Sequence, residues 1–305
     1  MRAFSWGEGG KSSYHYGGQA VLEGVMIRGR RGMAVAVRAP SGEIVLHAER
    51  FSRPARRWTR WPFLRGLYTL WDTLHWGLRA LNFSANVALG ESEYTVGPKQ
   101  MAGVVAVALA LAVGLFFLLP MFLMRLLAGL LPTPWLQALV EGCIRLGVVL
   151  GYLLAISQMG DVKRLFAYHG AEHKVVNALE AGAPLDVEGV RPFPTAHTRC
   201  GTAFLLLVVV LAVPLFAPLG GLGLGWGLLA RLALIPLLAG LSYEVMRLGA
   251  EYAHRPAVRA LLAPALLLQR LSTRLPDDGM LEVALAALAR AREVDEDEKH
   301  RPEEI

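Results

Sequence analysis

The sequence predicts a mainly α, polytopic membrane protein with about four transmembrane helices, a small N-terminal β-hairpin unit and interfacial amphipathic helices. Composition is the first observation behind that class. Of 305 residues, 54% are hydrophobic and 18% charged, against roughly 45–50% and 25% in soluble domains. Second, the apolar excess is gathered into unbroken runs. Residues 101–124, MAGVVAVALALAVGLFFLLPMFLM, hold no ionisable group, and about 20 such residues cross a hydrocarbon core. Third, Lys and Arg avoid particular connections. Disorder, a collagen-like chain and a purely soluble fold are excluded. No secretory leader is expected, because the first hundred residues contain no comparable run behind a positive start. The two cysteines, Cys143 and Cys200, lie in or beside apolar stretches, so a disulfide framework is not expected.

In chain order, residues 1–60 form a small β unit with a basic segment. MAVAVRAP at 33–40 and IVLHAE at 44–49 flank a Pro-Ser-Gly turn, a hairpin pattern, and GGQAVLEGVMIRG at 17–29 adds one more short strand. Its glycines lack the spacing of a dinucleotide fingerprint. Glu23 is the acid of that stretch, either an exposed strand-end carboxylate or a site residue. The basic run RFSRPARRWTR at 50–60 leads into the Trp- and Leu-rich segment 61–100, which fits an interfacial helix on anionic lipid better than a nucleic-acid surface; nucleic acid is not an expected partner. Spans are expected at 101–124 and 136–159, a first pair within 101–159, and at 202–218 and 227–245, a second pair within 202–246. Glu141 and Arg145, one turn apart, can neutralise each other, and Arg231 can snorkel from a span end. Residues 247–293 carry interfacial or cytoplasmic helices: 256–268 is too short to cross, and a helix capped by Pro276-Asp277-Asp278 runs to about 292. Residues 294–305 read as a solvated acidic tail.

Residues 1–100 hold 14 Lys and Arg, 160–200 hold 5 and the chain after 246 holds 9, whereas the two remaining connections hold only Arg125. The positive-inside bias puts both termini and the 160–201 segment in the cytoplasm of a bacterial inner membrane, with Cys200 reduced.

That cytoplasmic segment carries the chemistry. Asp161 opens a helix that Gly182 closes. At about 100° per residue, Val162, Phe166, His169, His173, Val176 and Glu180 share one stripe. Imidazoles on an apolar face require partners, since an unsatisfied buried polar group costs roughly 1–3 kcal/mol. Residues 169–173 spell H-x-x-E-H, the inverted zincin order, in which two histidines hold zinc and the glutamate works on a water. After a Pro-rich connection, His197 and Cys200 return to the same membrane face, completing an N₃S donor set suited to zinc, with another divalent metal as the alternative. If four residues bind, the site is closed and structural; if three bind, Glu172 is placed to act as a base. Glu180 and Glu244 are further ligand candidates or partners that fix an imidazole, Glu244 alternatively pairing with Arg247.

Taken together, GGQAVLEGVMIRG, PFLRG at 62–66, RLFAYHGAEHKVVNALE, HTRCGTAFL, LIPLLAGLSYEVMR at 234–247 and LQRLSTRLPDDGMLEVALAAL resemble the YqhQ family of bacterial multi-span membrane proteins, over nearly the whole chain. The resemblance implies a domain of unknown function described as a metal-dependent enzyme, with Glu23, His169, Glu172, His173, His197, Cys200 and Glu244 as its motif acids and bases. Phe166-Ala167-Tyr168 departs from the glutamine expected between the aromatics. The expected function is an integral-membrane zinc hydrolase with Glu172 catalytic and Lys174 or Arg199 steadying negative charge. The alternative is a non-enzymatic scaffold or assembly factor for other membrane proteins, stapled by a structural metal. A transporter ranks third, since no paired broken helices or internal repeat is evident.

Overall fold

The computed structural model describes residues 16–51, 61–90 and 96–296; most of the basic run at 50–60 and the end of the acidic tail lie outside them. Four antiparallel strands, β1 (Gly17–Val21), β2 (Gly24–Arg28), β3 (Gly32–Arg38) and β4 (Ile44–Arg50), pair in sequence order as a meander. The expected single strand at 17–29 is therefore two. Val21 pairs with Gly24, and the two-residue turn between them places Glu23 at φ +51°. No Gly-containing dipeptide sits at the centre of this turn, which is why the sequence reads as one strand.

The sheet is covered on both faces. Val25, Ile27, Ala34 and Ala36 pack against α5 (Gly160–Glu180) and α11 (Asp278–Glu296), through Tyr168, Ala171, Val175, Leu281, Ala284 and Leu288. Met26, Met33, Val35 and Val37 face the other way, onto Trp76 and Ala80 of α1 (Leu64–Leu89). Strand alternation explains the division: the small alanines of β3 admit the two helices closely, and its larger residues meet α1. α11 runs to Glu296, and Asp295, expected in the solvated tail, accepts from the Arg30 and Arg31 N–H groups at 2.9 and 2.8 Å.

Beyond this unit, α2 (Pro98–Val113), a π-helical turn at Gly114–Leu118 and α3 (Leu119–Leu127) run into one another, followed by α4 (Pro134–Ile156) and α7 (Gly201–Phe216). Among the described residues, three helices, Pro98–Leu130, Pro134–Ile156 and Gly201–Leu219, are long and apolar enough to cross a membrane. The expected fourth span is broken: α8 (Leu224–Ala233) and α9 (Ile235–Glu251) meet at 45°, where Pro236 withholds a backbone donor. Counting that pair as one gives four. Val104, Val107, Leu109 and Leu111 of α2 are each more than 60% exposed, an apolar surface of the kind that marks a membrane or interaction face.

The snorkelling expected of Arg231 is not what the fold contains. Arg231 is 4% exposed and reaches Glu141, 90 residues away, at 2.7 Å, while Arg145 binds the other carboxylate oxygen at 2.7 Å. α10 (Pro256–Ser272) carries the 256–268 segment, and a short α6 (Val187–Val190) interrupts the Pro-rich connection.

Candidate functional site

The α5 helix places His169, Glu172 and His173 on the side that meets β1, the 191–200 segment and the end of α10. Extended, Pro-rich chain offers carbonyls but few donors, and α5 supplies the missing donors. Lys174 Nζ donates to the Arg191 and Phe193 carbonyls, both at 2.6 Å. Asn177 Nδ2 donates to the Pro194 and Ala196 carbonyls at 3.0 and 3.1 Å. The ammonium of Lys174 is therefore committed to the main chain, where burial lowers its pKa, rather than turned to a substrate.

The histidines are fixed by the same logic. His169 Nδ1 lies 2.8 Å from the Ser272 carbonyl oxygen and His173 Nδ1 2.6 Å from that of Thr195. A carbonyl can only accept, so each ring carries a proton on Nδ1, which in the neutral ring leaves Nε2 as the acceptor. This is the tautomer a metal ligand needs, held by an outer partner. His169 Nε2 sits 3.4 Å from Cys200 Sγ, and the two imidazole centroids are 4.4 Å apart. Donor atoms of His169, His173 and Cys200 all fall within 4.8 Å of one another. Zinc–nitrogen and zinc–sulfur bonds of about 2.0–2.1 and 2.3 Å in a tetrahedron would separate their ligands by about 3.5 Å. The donor types suit such an ion and the 3.4 Å His169–Cys200 separation matches that spacing, while the wider separations, up to 4.8 Å, would have to close around it.

His197 is held differently. Its main chain is clamped by the Gln269 side chain, which accepts from His197 N–H and donates to its carbonyl, both at 2.8 Å. Its Nδ1 accepts from the Arg199 N–H at 3.4 Å, and its Nε2 is buried, facing Glu180 Oε2 at 3.5 Å. Glu180 also receives Arg199 at 2.6 Å. Burial pushes the Glu180 carboxyl upward, but His197 and Arg199 together outweigh it and lower the pKa to about 2. Among the described residues, His197 thus stands beside the three-donor group and outside it.

Glu172, 4% exposed, puts Oε2 3.4 Å from His173 Nε2. Gly18 of β1 makes room for it: a Cβ there would lie 2.7 Å from Glu172 Cγ. Gly170 has the matching role on α5, since a Cβ would overlap the Arg274 carbonyl oxygen in the strap that carries Ser272. Cys200 caps α7, its sulfur accepting from the Thr202 N–H at 3.4 Å. A cleft of about 520 Å³ opens over the group, between β1 and β2 and the membrane-type helices, lined also by Arg28, Trp76, Arg199 and Tyr243.

The two other candidate acids lie elsewhere. Glu23 binds the Arg164 guanidinium through Nε at 2.7 Å and through NH2, which holds its carboxyl below the ordinary range. Glu244 is taken by Arg65, through Nε at 2.7 Å and NH2, and by the Phe63 N–H at 3.1 Å. The partner within hydrogen-bonding distance is Arg65, not Arg247. Phe63 adopts φ +63° to make that contact, so the PFLRG stretch is the joint between α1 and α9. Thr195, Gln269 and Ser272 are absent from the sequence-based candidates. Thr195 and Ser272 act through main-chain carbonyls, which leave no side-chain signal, whereas the LQRLST block contains both Gln269 and Ser272.

Residues 61–294 match a family described as Protein of unknown function (DUF1385). The chain is 33% identical over 291 residues to Uncharacterized protein YqhQ of Bacillus subtilis (strain 168), covering 88% of this chain and 90% of that relative. No solved structure matches.

Proposed function

The chain belongs to the DUF1385 family, whose function is unknown, and from that premise we propose that it is a metal-dependent hydrolase of the bacterial cytoplasmic membrane, with its site at the cytoplasmic face. The observation that carries this reading is the pair of carbonyl-fixed imidazoles that converge, Nε2 outward, with Cys200 beside a buried glutamate. In it, His169, His173 and Cys200 hold zinc or another divalent ion. When bound, such an ion supplies Lewis acidity and a water whose pKa falls toward ~7. Glu172, buried beside His173, would serve as the general base and acid of the site, accepting a proton and returning it to the leaving group. Arg199, positioned by Glu180 at the cleft wall, steadies negative charge on the substrate. Because His197 is directed to Glu180 rather than to the three donors, the reading is an open three-ligand site, not a closed structural one. A cleft with walls from α1 and α9 suits a peptide or lipid headgroup presented at the membrane surface.

A second reading is a non-enzymatic assembly factor with a structural metal. It draws on α2, in which no residue is buried and which is free to pack on another membrane protein. Glu172→Gln separates the two. Purified wild type and variant are compared for metal content and for hydrolysis of peptide and phospholipid panels in vesicles. Full metal with hydrolysis lost supports the hydrolase; full metal with unchanged hydrolysis, or with none in the wild type, supports the scaffold.

A further inference from the structure

The far end of the helix bundle holds a second charged assembly. α7 leads away from Cys200 for 16 residues, about 24 Å at 1.5 Å per residue, and ends at Phe216. There Arg145 and Arg231 share the two oxygens of Glu141, and all three side chains are at least 92% buried. The Phe216 ring faces both guanidiniums, at 5.3 and 5.6 Å. Arg145 is further satisfied by the Phe116 carbonyl at 3.1 Å, in the π-helical turn. Arg231 is not equally provided for: NH1 donates to the Gly227 carbonyl at 3.2 Å, but Nε is buried without a partner among the described residues.

The charges do not balance either. Two arginines against one glutamate leave +1 in a region where isolated charge is costly. A cavity of about 60 Å³ adjoins the assembly, with Arg231, Glu141, Gln137 and Phe216 in its wall and Arg125 at the same opening. At ~10–15 Å³ per water it admits about four to six waters, hence a five-atom oxyanion. The counter-charge cannot come from a second copy of this end. Residues 101–160 contain one acid, Glu141, and residues 201–243 contain none.

We propose that this cavity binds a singly charged phosphate group, held by Arg231 and Arg125. Guanidinium forks match phosphate geometry, and one negative charge neutralises the Arg145–Glu141–Arg231 set. Two sources share that chemistry, the diester headgroup of an anionic phospholipid and free inorganic phosphate. The site is independent of the histidine cluster.

The test uses the full chain purified in neutral detergent, with phosphatidylglycerol, phosphatidylcholine or inorganic phosphate added. Thermal unfolding and native mass spectrometry are the readouts. Phosphatidylglycerol is expected to raise the midpoint more than phosphatidylcholine does, and wild type to retain one more phosphatidylglycerol than Arg231→Met. That variant leaves the neutral Arg145–Glu141 pair intact. Should it fail to fold, Arg125→Ala, exposed at the cavity rim, is expected to weaken retention in the same way. Stabilisation by inorganic phosphate that is lost in these variants supports the site with free phosphate as its source. Equal effects of the two lipids without a phosphate effect, or retention unchanged in both variants, would overturn the proposal.

Discussion

Two adjacent glycines of β1 should respond in opposite ways to the same substitution. In Gly18→Ala the new Cβ would lie 2.6 Å from the Met26 carbonyl oxygen, 2.7 Å from Glu172 Cγ and 3.0 Å from Glu172 Oε1. Cβ atoms essentially never approach neighbours closer than 3.0 Å, so the first two contacts are 0.4 and 0.3 Å too short. The Met26 oxygen is main chain and cannot swing aside; Glu172 must move. Overpacking of this kind costs ~1–3 kcal/mol, and the stiffer unfolded chain returns ~0.4–1 kcal/mol, so the central values leave a net loss of about 1.3 kcal/mol. Among the described residues Gly17→Ala meets nothing within 4 Å and keeps only the gain. Thermal unfolding in detergent should therefore place Gly18→Ala several degrees below wild type and Gly17→Ala at or slightly above it. Metal content should be unchanged in both, since the side chain that the new Cβ meets is Glu172, which is not one of the three proposed donors, and on the hydrolase reading hydrolysis should fall only in Gly18→Ala. A Gly18→Ala protein as stable as Gly17→Ala would refute the close approach of β1 to Glu172.

Other consequences follow from the same contacts. Glu141→Gln leaves two buried guanidiniums without their counter-charge and should lower stability by ~3–5 kcal/mol, measured by unfolding in detergent; a loss below 1 kcal/mol would contradict the triad. Lys174→Met removes two charge-assisted bonds to the Arg191 and Phe193 carbonyls and should cost ~2–3 kcal/mol, with proteolysis of the 183–197 segment as the readout. Glu180 is depressed from 4.5 to about 2 by His197 and Arg199 against burial. Its stabilising contribution is therefore complete above pH 4.5 and disappears as pH falls toward 2. The stability gap between wild type and Glu180→Gln should close over that window; a gap that widens on acidification would reverse the sign.

The helical plan was legible because membrane-type runs are long and strongly apolar, and α5 because Asp161 and Gly182 bracket one clear stripe. The hairpin at 17–28 was not, since its turn is made by Leu22 and Glu23 without the usual glycine at the centre. The break between α8 and α9 had a signal, Pro236, inside a run whose hydropathy reads as continuous. At the site, spacing alone put His169, Glu172 and His173 together, and proximity to a membrane end brought Cys200 in. Spacing could not separate His197 from the donor group, because that depends on Gln269 and Glu180, one of them 72 residues away. Glu23 and Glu244 were legible as chemically special acids, but the structure uses both as anchors for arginines.

The most direct measurement of the proposed site is metal content, with cobalt as the probe ion. Wild type should bind one equivalent and show a thiolate-to-cobalt charge-transfer band. His169→Ala and His173→Ala should lose the metal, and Cys200→Ser the band with most of the affinity. His197→Gln should retain both. A wild type without stoichiometric metal would contradict the account outright, and a His197→Gln protein as depleted as Cys200→Ser would replace the open three-donor site with a closed four-donor one.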